Sequence, residues 1–367
     1  MQTKIENIET VQDIQNLLVS GFSDWKKYGE VNTDIDEDLT IFNYTQKCQF
    51  DGRWNFFERV SRGLILNNKT GEIVARPFDK FFNWLEKGEK AKGHIISITE
   101  KWDGSLGILY RMNSGYKIST RGKFHSPQAE WATTFLNENY DLSGLPESAT
   151  LLFEIIYSEN RIVIDYKGFS GLILLASRNR FTGEYYPFFP VVYELGQTYN
   201  FPIPKVYNFN NVVEIIEQTS KIDSSQEGWV VEFSSEQRFK FKGDKYLELH
   251  RLISGLSFKH TLEAYQSGTL DYIRSQVPDE FLDDFNNWCT QIENTLTDIS
   301  DNVEKIFFDA PKETRKDFAL WVIQNAKRYS AYLFAKYDNR DYRNLVYKNE
   351  FKKALTESED CDIIEIQ

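Results

Sequence analysis

The stretch "EKWDGSLGILY", residues 100–110, places a lysine, an acid and a glycine inside a run that otherwise has the composition of a β-strand. The preceding "GHIISIT" and the following "LGILY" are rich in β-branched and bulky residues, so extended chain is predicted on both sides. Asp103, Gly104 and Ser105 supply turn-forming residues between the two segments. Lys101 therefore lies at the lip of a turn, where a solvated lysine and a functional lysine both remain open interpretations.

The composition is that of a folded protein with two or three domains. The chain has 367 residues, of which 41% are hydrophobic, enough to form substantial cores. Apolar runs such as "GLILLAS" (171–177) are too short to cross a bilayer, and the first residues carry charges where a signal peptide would be apolar. We therefore expect a cytoplasmic protein that does not bind membranes. The three cysteines and four histidines lack disulfide-framework or zinc-ligand spacing.

The net charge of −12 argues against a protein that coats nucleic acid by bulk electrostatic attraction. Any contact with nucleic acid must then be local. Acidic residues are concentrated in "VNTDIDEDLT" (31–40) and in "ESEDCDIIEIQ" (357–367). The second segment is predicted to be an acidic tail, disordered or frayed.

Short extended segments recur before residue 250. Strands are predicted at 62–67, 106–111, 116–120, 150–156, 161–166 ("RIVIDY"), 171–177, 228–233 and 238–242, with helices at 126–140 and 211–218. After residue 250 the apolar period changes to three and four, as in Phe281, Phe285, Trp288, Ile292, Leu296, Ile299 and Val303. A second such stretch covers 312–337, after Pro311. The first part is thus predicted to be β-rich and the last third helical.

The strand "RFKFK" (238–242) carries a second functional signal. Period-two alternation places Arg238, Lys240 and Lys242 on one face and two phenylalanines on the other. A solvated edge strand and a phosphate-binding face both explain this pattern. Glu154, inside the apolar "LLFEII", is the acid that solubility explains least, because an unpaired carboxylate in such a strand is costly.

Taken in order, these elements resemble the motifs of the covalent nucleotidyltransferases: K-x-D-G at Lys101, the strand-embedded Glu154, Glu227 with Gly228, and K-x-K at Lys240 and Lys242. "SRGLIL", "ARPFDKFFN", "FEIIYSENRIVIDY" and "RNRFTGEY" resemble the RNA ligase 1 family of the T-even phages. The resemblance covers roughly residues 40–250 and implies an α+β fold. A nucleotidyltransferase domain of antiparallel sheets with flanking helices, unrelated to ATP-grasp ligases, is expected at 1–250, and an all-α C-terminal domain with the acidic tail at 251–367.

The resemblance implies an ATP-dependent RNA ligase that acts through a covalent lysyl-AMP intermediate. Lys101 would be the nucleophile, and neighbouring cations are expected to favour its neutral amine. Lys101, Lys240 and Lys242 are the expected catalytic residues. The expected nucleotide-binding residues are Arg62, Lys80, Phe82, Asp103, Gly104, Glu154, Glu227 and Gly228. Arg62 and Lys80 would grip the outer phosphates, whereas Asp103 is also an ordinary turn residue and Phe82 a possible core aromatic. Glu154 and Glu227 would bind Mg²⁺, for which Mn²⁺ could substitute.

RNA with single-stranded or tRNA-like ends is the expected partner. Arg121, Lys123, Arg178 and Arg180 are the expected phosphate contacts, with solvated surface as the alternative. Arg121 stands where the family often has a lysine, and it could bind phosphate but could not act by losing a proton. The helical domain would set RNA specificity, a polynucleotide kinase/phosphatase is a possible partner, and a monomer is expected.

Two other classes of function remain open, another nucleotidyltransferase and a non-catalytic relative. A DNA ligase or a GTP-dependent capping enzyme would usually carry an OB-fold barrel after the K-x-K motif, whereas this chain turns helical there. A non-catalytic RNA-binding relative is disfavoured by the presence of Lys101, Glu227, Lys240 and Lys242.

Overall fold

The computed structural model describes residues 6–112, 115–254, 256–277 and 281–352. The chain divides into two compact units, Met1–Ile253 and Ser254–Gln367. The predicted acidic tail at 357–367 lies outside the described residues. Within the described ranges, no helix is long and apolar enough to cross a membrane.

The described strands of the first unit form three four-stranded sheets. The N-terminal sheet contains, in spatial order, β1 (Val31–Asp36), β2 (Leu39–Tyr44), β3 (Arg62–Asn67) and β4 (Ile73–Ala75). The second sheet contains β10 (Gly171–Asn179), β9 (Ala149–Ile156), β7 (Ser105–Met112) and β8 (Gly115–Ser119). The third contains β5 (Phe82–Asn83), β12 (Arg238–Lys242), β11 (Gly228–Phe233) and β6 (Ile95–Lys101). The neighbouring strands pair antiparallel, except that β5 runs parallel to β12.

Helices flank these sheets. They are α1 (Val11–Val19), α2 (Gln46–Asp51), α3 (Phe56–Val60), α4 (Pro127–Asn139), α5 (Tyr193–Thr198), α6 (Val212–Thr219) and α7 (Asp244–Ser254), the last of which ends just past the boundary of the unit. Helix α4 shows why such segments begin where they do. Ser126 is its N-cap and accepts a hydrogen bond from the Ala129 amide, and Pro127 occupies the first turn, where its missing N–H costs nothing.

The two strands around the K-x-D-G turn belong to different sheets. Lys101, at the end of β6, pairs with Gly228 of β11, whereas Ser105, at the start of β7, pairs with Ile155 of β9. The chain bends at Gly104 as predicted, but it crosses there from the third sheet to the second instead of closing a hairpin. This crossing places Lys101 where the two sheets meet.

The predicted alternation of β12 is confirmed. Phe239 and Phe241 are buried in a core with Trp229 and Val231 of β11, while the cationic side chains alternate with them along the strand. The predicted strand at 161–166 is wrong, because the chain there is irregular. The amides of Val163 and Ile164 donate to the side chain of Asp103.

In the second unit the described secondary structure is helical, as predicted. These are α8 (Phe258–Ser267), α9 (Leu270–Gln276), α10 (Leu282–Asp309), α11 (Arg315–Asn325), α12 (Ser330–Tyr337) and α13 (Arg343–Glu350). Helix α10 is one continuous helix of 28 residues that buries most of the predicted apolar stripe. The second predicted helical stretch is interrupted near Ala326, and it begins at Arg315 because Thr314 caps it by accepting from the Asp317 amide.

Candidate active site

A cavity of about 530 Å³ lies between the second and third sheets of the first unit. Strands β6, β11 and β12 contribute lining residues from one sheet, and β7, β9 and β10 contribute them from the other. The charged residues that line it are Arg62, Glu100, Lys101, Arg121, Glu154, Glu232, Arg238 and Lys240. A cavity with several cations and apolar walls is suited to a ligand that combines phosphates with an aromatic base.

Glu227 bridges two lysines at the base of this arrangement. Its side chain is only 1% exposed, and its two oxygens lie 2.6 Å from Lys101 Nζ and 3.1 Å from Lys242 Nζ. Burial raises the pKa of Glu227, but the two ammonium groups outweigh burial and the pKa lies below its usual value. Glu227 therefore stays ionised and fixes the position of Lys101, whose side chain keeps 19% exposure.

Gly228 allows the strand register that brings these lysines together. It pairs with Lys101 on one side and with Lys242 on the other. Its φ is +144°, and an added Cβ would lie 1.8 Å from the carbonyl oxygen of Phe241. Only glycine fits at this position.

Glu154 is the second acidic group of the site. Its Oε1 accepts a hydrogen bond from the Gly104 amide at 3.0 Å, and the side chain is half-buried at the cavity wall. Burial raises the pKa of Glu154 to about 7 against the attraction of Lys101, and the Glu227 carboxylate adds to the rise. Glu154 therefore exchanges a proton near neutral pH. Gly104 fits closely beside it, because an added Cβ would lie 2.5 Å from the Ile155 carbonyl oxygen.

Three cationic side chains of the predicted set line the cavity with Lys101. Arg62 contacts the ring of Phe81, and its Nη1 is buried without a hydrogen-bond partner among the described residues. Arg121 donates to the Tyr44 hydroxyl at 2.6 Å, and Lys240 lies 5.6 Å from the Phe81 ring centre. A buried guanidinium nitrogen without a partner is disfavoured unless a ligand satisfies it.

A family model described as RNA ligase matches residues 60–246, slightly more than half of the chain. The match includes Lys101, Glu154, Glu227 and Lys242. The chain belongs to the RNA ligase family. Membership of the RNA ligase 1 family, predicted from the motifs, is thereby confirmed. The antiparallel sheets with flanking helices and the helical second unit agree with the predicted α+β fold class.

Individual relatives differ in the length that they share with this chain. It is 31% identical over 252 residues to a bifunctional polynucleotide kinase/RNA ligase of Autographa californica nuclear polyhedrosis virus, which covers 58% of this chain and 35% of the viral protein. The chain thus spans about a third of that relative. It is 24% identical to the RNA ligase of Rhodothermus phage RM378 over 87% of this chain and 89% of the phage protein. A solved archaeal ATP-dependent RNA ligase has a TM-score of 0.49 at 14% identity, covering 91% of this chain and 100% of the other.

Two residues predicted to contact the nucleotide lie deeper in the protein than expected. Lys80 is buried, and its ammonium group lies 5.0–5.4 Å from the ring centres of Tyr44, Trp54 and Phe82. This burial contradicts the prediction that Lys80 grips the outer phosphates directly. Phe82 is a core residue packed against Trp54 rather than a cavity residue. Phe81, next to it, lines the cavity instead.

Asp103 has a structural position. The carboxylate is buried and accepts hydrogen bonds from the amides of Val163 (2.8 Å) and Ile164 (3.0 Å) and from the Tyr246 hydroxyl (2.9 Å). Among the described residues, Asp103 is not one of those that line the cavity. The prediction that it binds the nucleotide is therefore corrected, because its oxygens are already used to hold the loop after β9.

Arg178 and Arg180 are not surface residues. They are 3% and 6% exposed. Arg178 donates to both oxygens of Asp79 at 2.8 and 3.1 Å, and Arg180 pairs with Glu72 at 2.7 Å and Glu147 at 3.0 Å. The prediction that they grip RNA phosphates is wrong, since these guanidinium groups are buried and bound to carboxylates. Lys123 is exposed and pairs with Asp34, so its RNA contact stays a prediction.

One carboxylate of the predicted magnesium pair is already occupied in this structure. Both Glu227 oxygens lie against lysine ammonium groups, so magnesium binding by Glu227 stays a prediction. Mg²⁺ accepts one or two carboxylates when phosphates complete its shell, so Glu154 is the remaining carboxylate of the predicted pair.

Two features of the cavity were missed by the sequence analysis. Glu232 and Arg238 form a buried ion pair in its wall, and they are register partners on β11 and β12. The antiparallel pairing of "GWVVEF" with "RFKFK" could have indicated this pair. Trp102, inside the K-x-D-G motif, also lines the cavity, but its position depends on a distant loop.

Proposed function

We propose that the protein is an ATP-dependent RNA ligase that joins 5′-phosphate and 3′-hydroxyl ends through AMP bound to Lys101. The observation that carries the proposal is the position of Lys101: its Nζ is held by buried Glu227 in a cavity that Arg62, Arg121 and Lys240 also line. Membership of the RNA ligase family supports the reaction class.

In the first step the neutral Lys101 amine attacks the α-phosphorus of ATP. An N–P bond forms, the bond from this phosphorus to the bridging oxygen breaks, and pyrophosphate leaves while the nitrogen loses a proton. Arg62, Arg121 and Lys240 supply positive charge where the phosphoryl oxygens gain negative charge. Lys242 contributes indirectly, because it pairs with the Glu227 carboxylate that holds Lys101.

In the second step an oxygen of the RNA 5′-phosphate attacks the same phosphorus, and the N–P bond breaks to restore the lysine. In the third step the 3′-hydroxyl attacks the RNA 5′-phosphorus, a phosphodiester forms, and AMP leaves. No electron transfer is involved, and each step exchanges one bond to phosphorus for another. The divalent ion, proposed to be Mg²⁺, would add Lewis-acid chemistry when it is bound with the nucleotide phosphates.

The Glu227 contact sets a condition on the first step. An ammonium group hydrogen-bonded to a buried carboxylate cannot attack, so Lys101 must give up a proton before the N–P bond forms. Lys242 also pairs with Glu227 and favours its ionised form, so we assign Glu227 the role of an orienting anion rather than that of the proton acceptor. Glu154, with a pKa of about 7, is the acid of the cavity that is suited to accept a proton near neutral pH.

The test is incubation with α-labelled ATP or GTP and Mg²⁺, followed by a denaturing gel and mass spectrometry. Wild-type protein should acquire one covalent AMP at Lys101, and Lys101→Ala should acquire none. Lys69→Ala, which removes an exposed lysine paired with Asp38, should label normally. An adduct at another residue, or labelling by GTP alone, would contradict the proposal.

The RNA partner and the second unit are further parts of the proposal. The helical unit, Ser254–Gln367, is proposed to select the RNA, and the substrate is single-stranded or tRNA-like RNA. A kinase/phosphatase that prepares the ends is proposed because the viral relative's name joins a polynucleotide kinase and an RNA ligase in one chain. A monomer stays a prediction, which sedimentation of the purified protein would test.

A further inference from the structure

Three aromatic side chains form a cluster that reaches from the cavity wall to the protein surface. Trp102 lines the cavity directly after Lys101. It stacks on Tyr166 with ring centres 4.6 Å apart and an interplanar angle of 22°, and it contacts Phe169 at 5.7 Å. Phe169 is 38% exposed. Trp102, Tyr166 and Phe169 are called the aromatic cluster below.

The K-x-D-G motif itself holds this cluster in place. The Asp103 carboxylate binds the amides of Val163 and Ile164, which fixes the start of the loop that carries Tyr166 and Phe169. The Asp103 amide donates to the Tyr166 hydroxyl at 2.7 Å. The cluster is therefore preorganised beside Lys101, and it does not need to be ordered when a ligand arrives.

Packing alone does not account for the composition of the cluster. The indole Nε1 of Trp102 is buried without a hydrogen-bond partner among the described residues, and Phe169 exposes a large apolar ring. Lys167, two residues before Phe169, is exposed. An aromatic face beside a cation is the combination with which proteins bind single-stranded nucleic acid, because the ring stacks on a base and the cation attracts the backbone.

We infer that the aromatic cluster stacks on the terminal base of an RNA end whose phosphate or hydroxyl lies at Lys101. The inference rests on the proposed ligase function and names a specificity-determining site for its RNA. Stacking tolerates any base, so this site would recognise an unpaired terminal nucleotide rather than a sequence. An end that is paired in a duplex would have to unstack before it could bind.

The test uses two single-stranded RNA oligonucleotides, one with 2-aminopurine at a 5′-phosphorylated end and one with 2-aminopurine at the 3′-hydroxyl end. Stacking on the cluster should quench the fluorescence of one or both in the full-length protein. Phe169→Ala and Trp102→Leu should abolish this quenching and weaken RNA binding at least about fivefold, the effect expected for loss of one stacked base. Trp102→Phe, which keeps a ring, should restore part of the quenching.

The matched control is Phe181→Ala, because Phe181 is 51% exposed in the same unit but lies outside the cluster. It should bind and quench like the wild type. Unchanged quenching in Phe169→Ala and Trp102→Leu would overturn the inference. So would a higher KM for ATP in both variants with unchanged RNA binding, because the cluster would then serve the nucleotide base.

Covalent labelling of Lys101 separates this inference from the proposed function. If the wild type never forms the AMP adduct, the ligase proposal fails whatever the RNA does. If the adduct forms normally and RNA quenching is insensitive to both cluster variants, only the inference fails. Should Trp102→Leu not fold, as judged by circular dichroism, Phe169→Ala decides the question because its side chain is partly exposed.

Discussion

Removal of the Glu227 charge should destabilise the first unit strongly. The substitution Glu227→Gln keeps the shape of the side chain but leaves the ammonium groups of Lys101 and Lys242 without their shared carboxylate. All three side chains are largely buried, so solvent screens the remaining positive charges poorly. Breaking a buried ion pair by removing one partner costs about 3–5 kcal/mol, and we expect a loss in this range.

The measurement is the free energy of opening of β11 and β12, obtained by native-state hydrogen exchange of peptides that contain these strands. This readout reports the first unit separately from the helical unit, which a global melt would not do. The control is Asp38→Asn, which removes the acid of the exposed Lys69 pair and should cost less than about 1 kcal/mol.

A double substitution tests the physical cause. Glu227→Gln with Lys242→Met removes the acid and one of the two cations, so it should cost less than the sum of the single changes. The expected coupling is about 1–3 kcal/mol. A loss below about 1 kcal/mol for Glu227→Gln, equal to that of Asp38→Asn, or strict additivity in the double variant, would refute the reasoning that Glu227 is the common counter-ion.

Three further outcomes are expected. Burial raises the pKa of Glu154 to about 7, whereas the ordinary pKa of a glutamate side chain is 4.5. Between these two pH values the folded state holds a proton that the unfolded state has lost. Glu154 therefore lowers the stability of the folded state as pH rises from 4.5 to 7. Glu154→Gln should therefore gain up to about 3 kcal/mol relative to the wild type between pH 5 and pH 8 in metal-free urea titrations, and parallel pH curves would contradict this. Gly228→Ala should cost about 3 kcal/mol or more, whereas Gly115→Ala, at a φ of +126° with no atom within 4 Å of the added Cβ, should cost clearly less in thermal unfolding. Arg178→Lys should lower the melting temperature without a specific effect on RNA affinity, and weaker RNA binding by a fully stable variant would reinstate Arg178 as a phosphate contact.

Local patterns predicted most of the described strands and the longest helix, α10. Strands β3, β11 and β12 begin and end at the predicted residues, since each is a short run of β-forming residues bounded by turn or charged residues. The alternation in "RFKFK" also predicted that Phe239 and Phe241 are buried, but not that Arg238 is buried with them. The long apolar stripe predicted α10 because a helical period repeated over many turns has no strand alternative.

These local patterns could not predict which distant segments of the chain pair with one another. The segment "RIVIDY" has the composition of a strand, but the amides of Val163 and Ile164 are bound by a carboxylate 60 and 61 residues away. The spacing of apolar residues in a local segment cannot predict a hydrogen-bond partner that is so distant in the sequence. The placement of β6 and β7 in different sheets was missed for the same reason, because a turn sequence does not specify the strands that pair on either side.

The misassigned arginines show the same limit in electrostatics. "RNRFTGEY" reads as a polar surface loop, yet Arg178 and Arg180 are buried because Asp79, Glu72 and Glu147 arrive from distant segments. In the sequence, each of these three acids has the appearance of an ordinary surface residue. The sequence indicates that charges are present, whereas the fold decides which of them are paired.

The register of three strands brings residues of the separate motifs into one site. Gly228 faces Lys101 across one side of β11 and Lys242 across the other, so the residue before it, Glu227, is the acid that can reach both lysines. A shift of one residue in either pairing would turn that lysine to the opposite face of the sheet. Glycine is required at the crossing because the Phe241 carbonyl oxygen occupies the space of a Cβ. The lysine of the first motif, the Glu-Gly pair and the last lysine are therefore one geometric unit, and a change that preserves each residue but alters the β11 register should abolish AMP attachment as completely as the loss of Lys101.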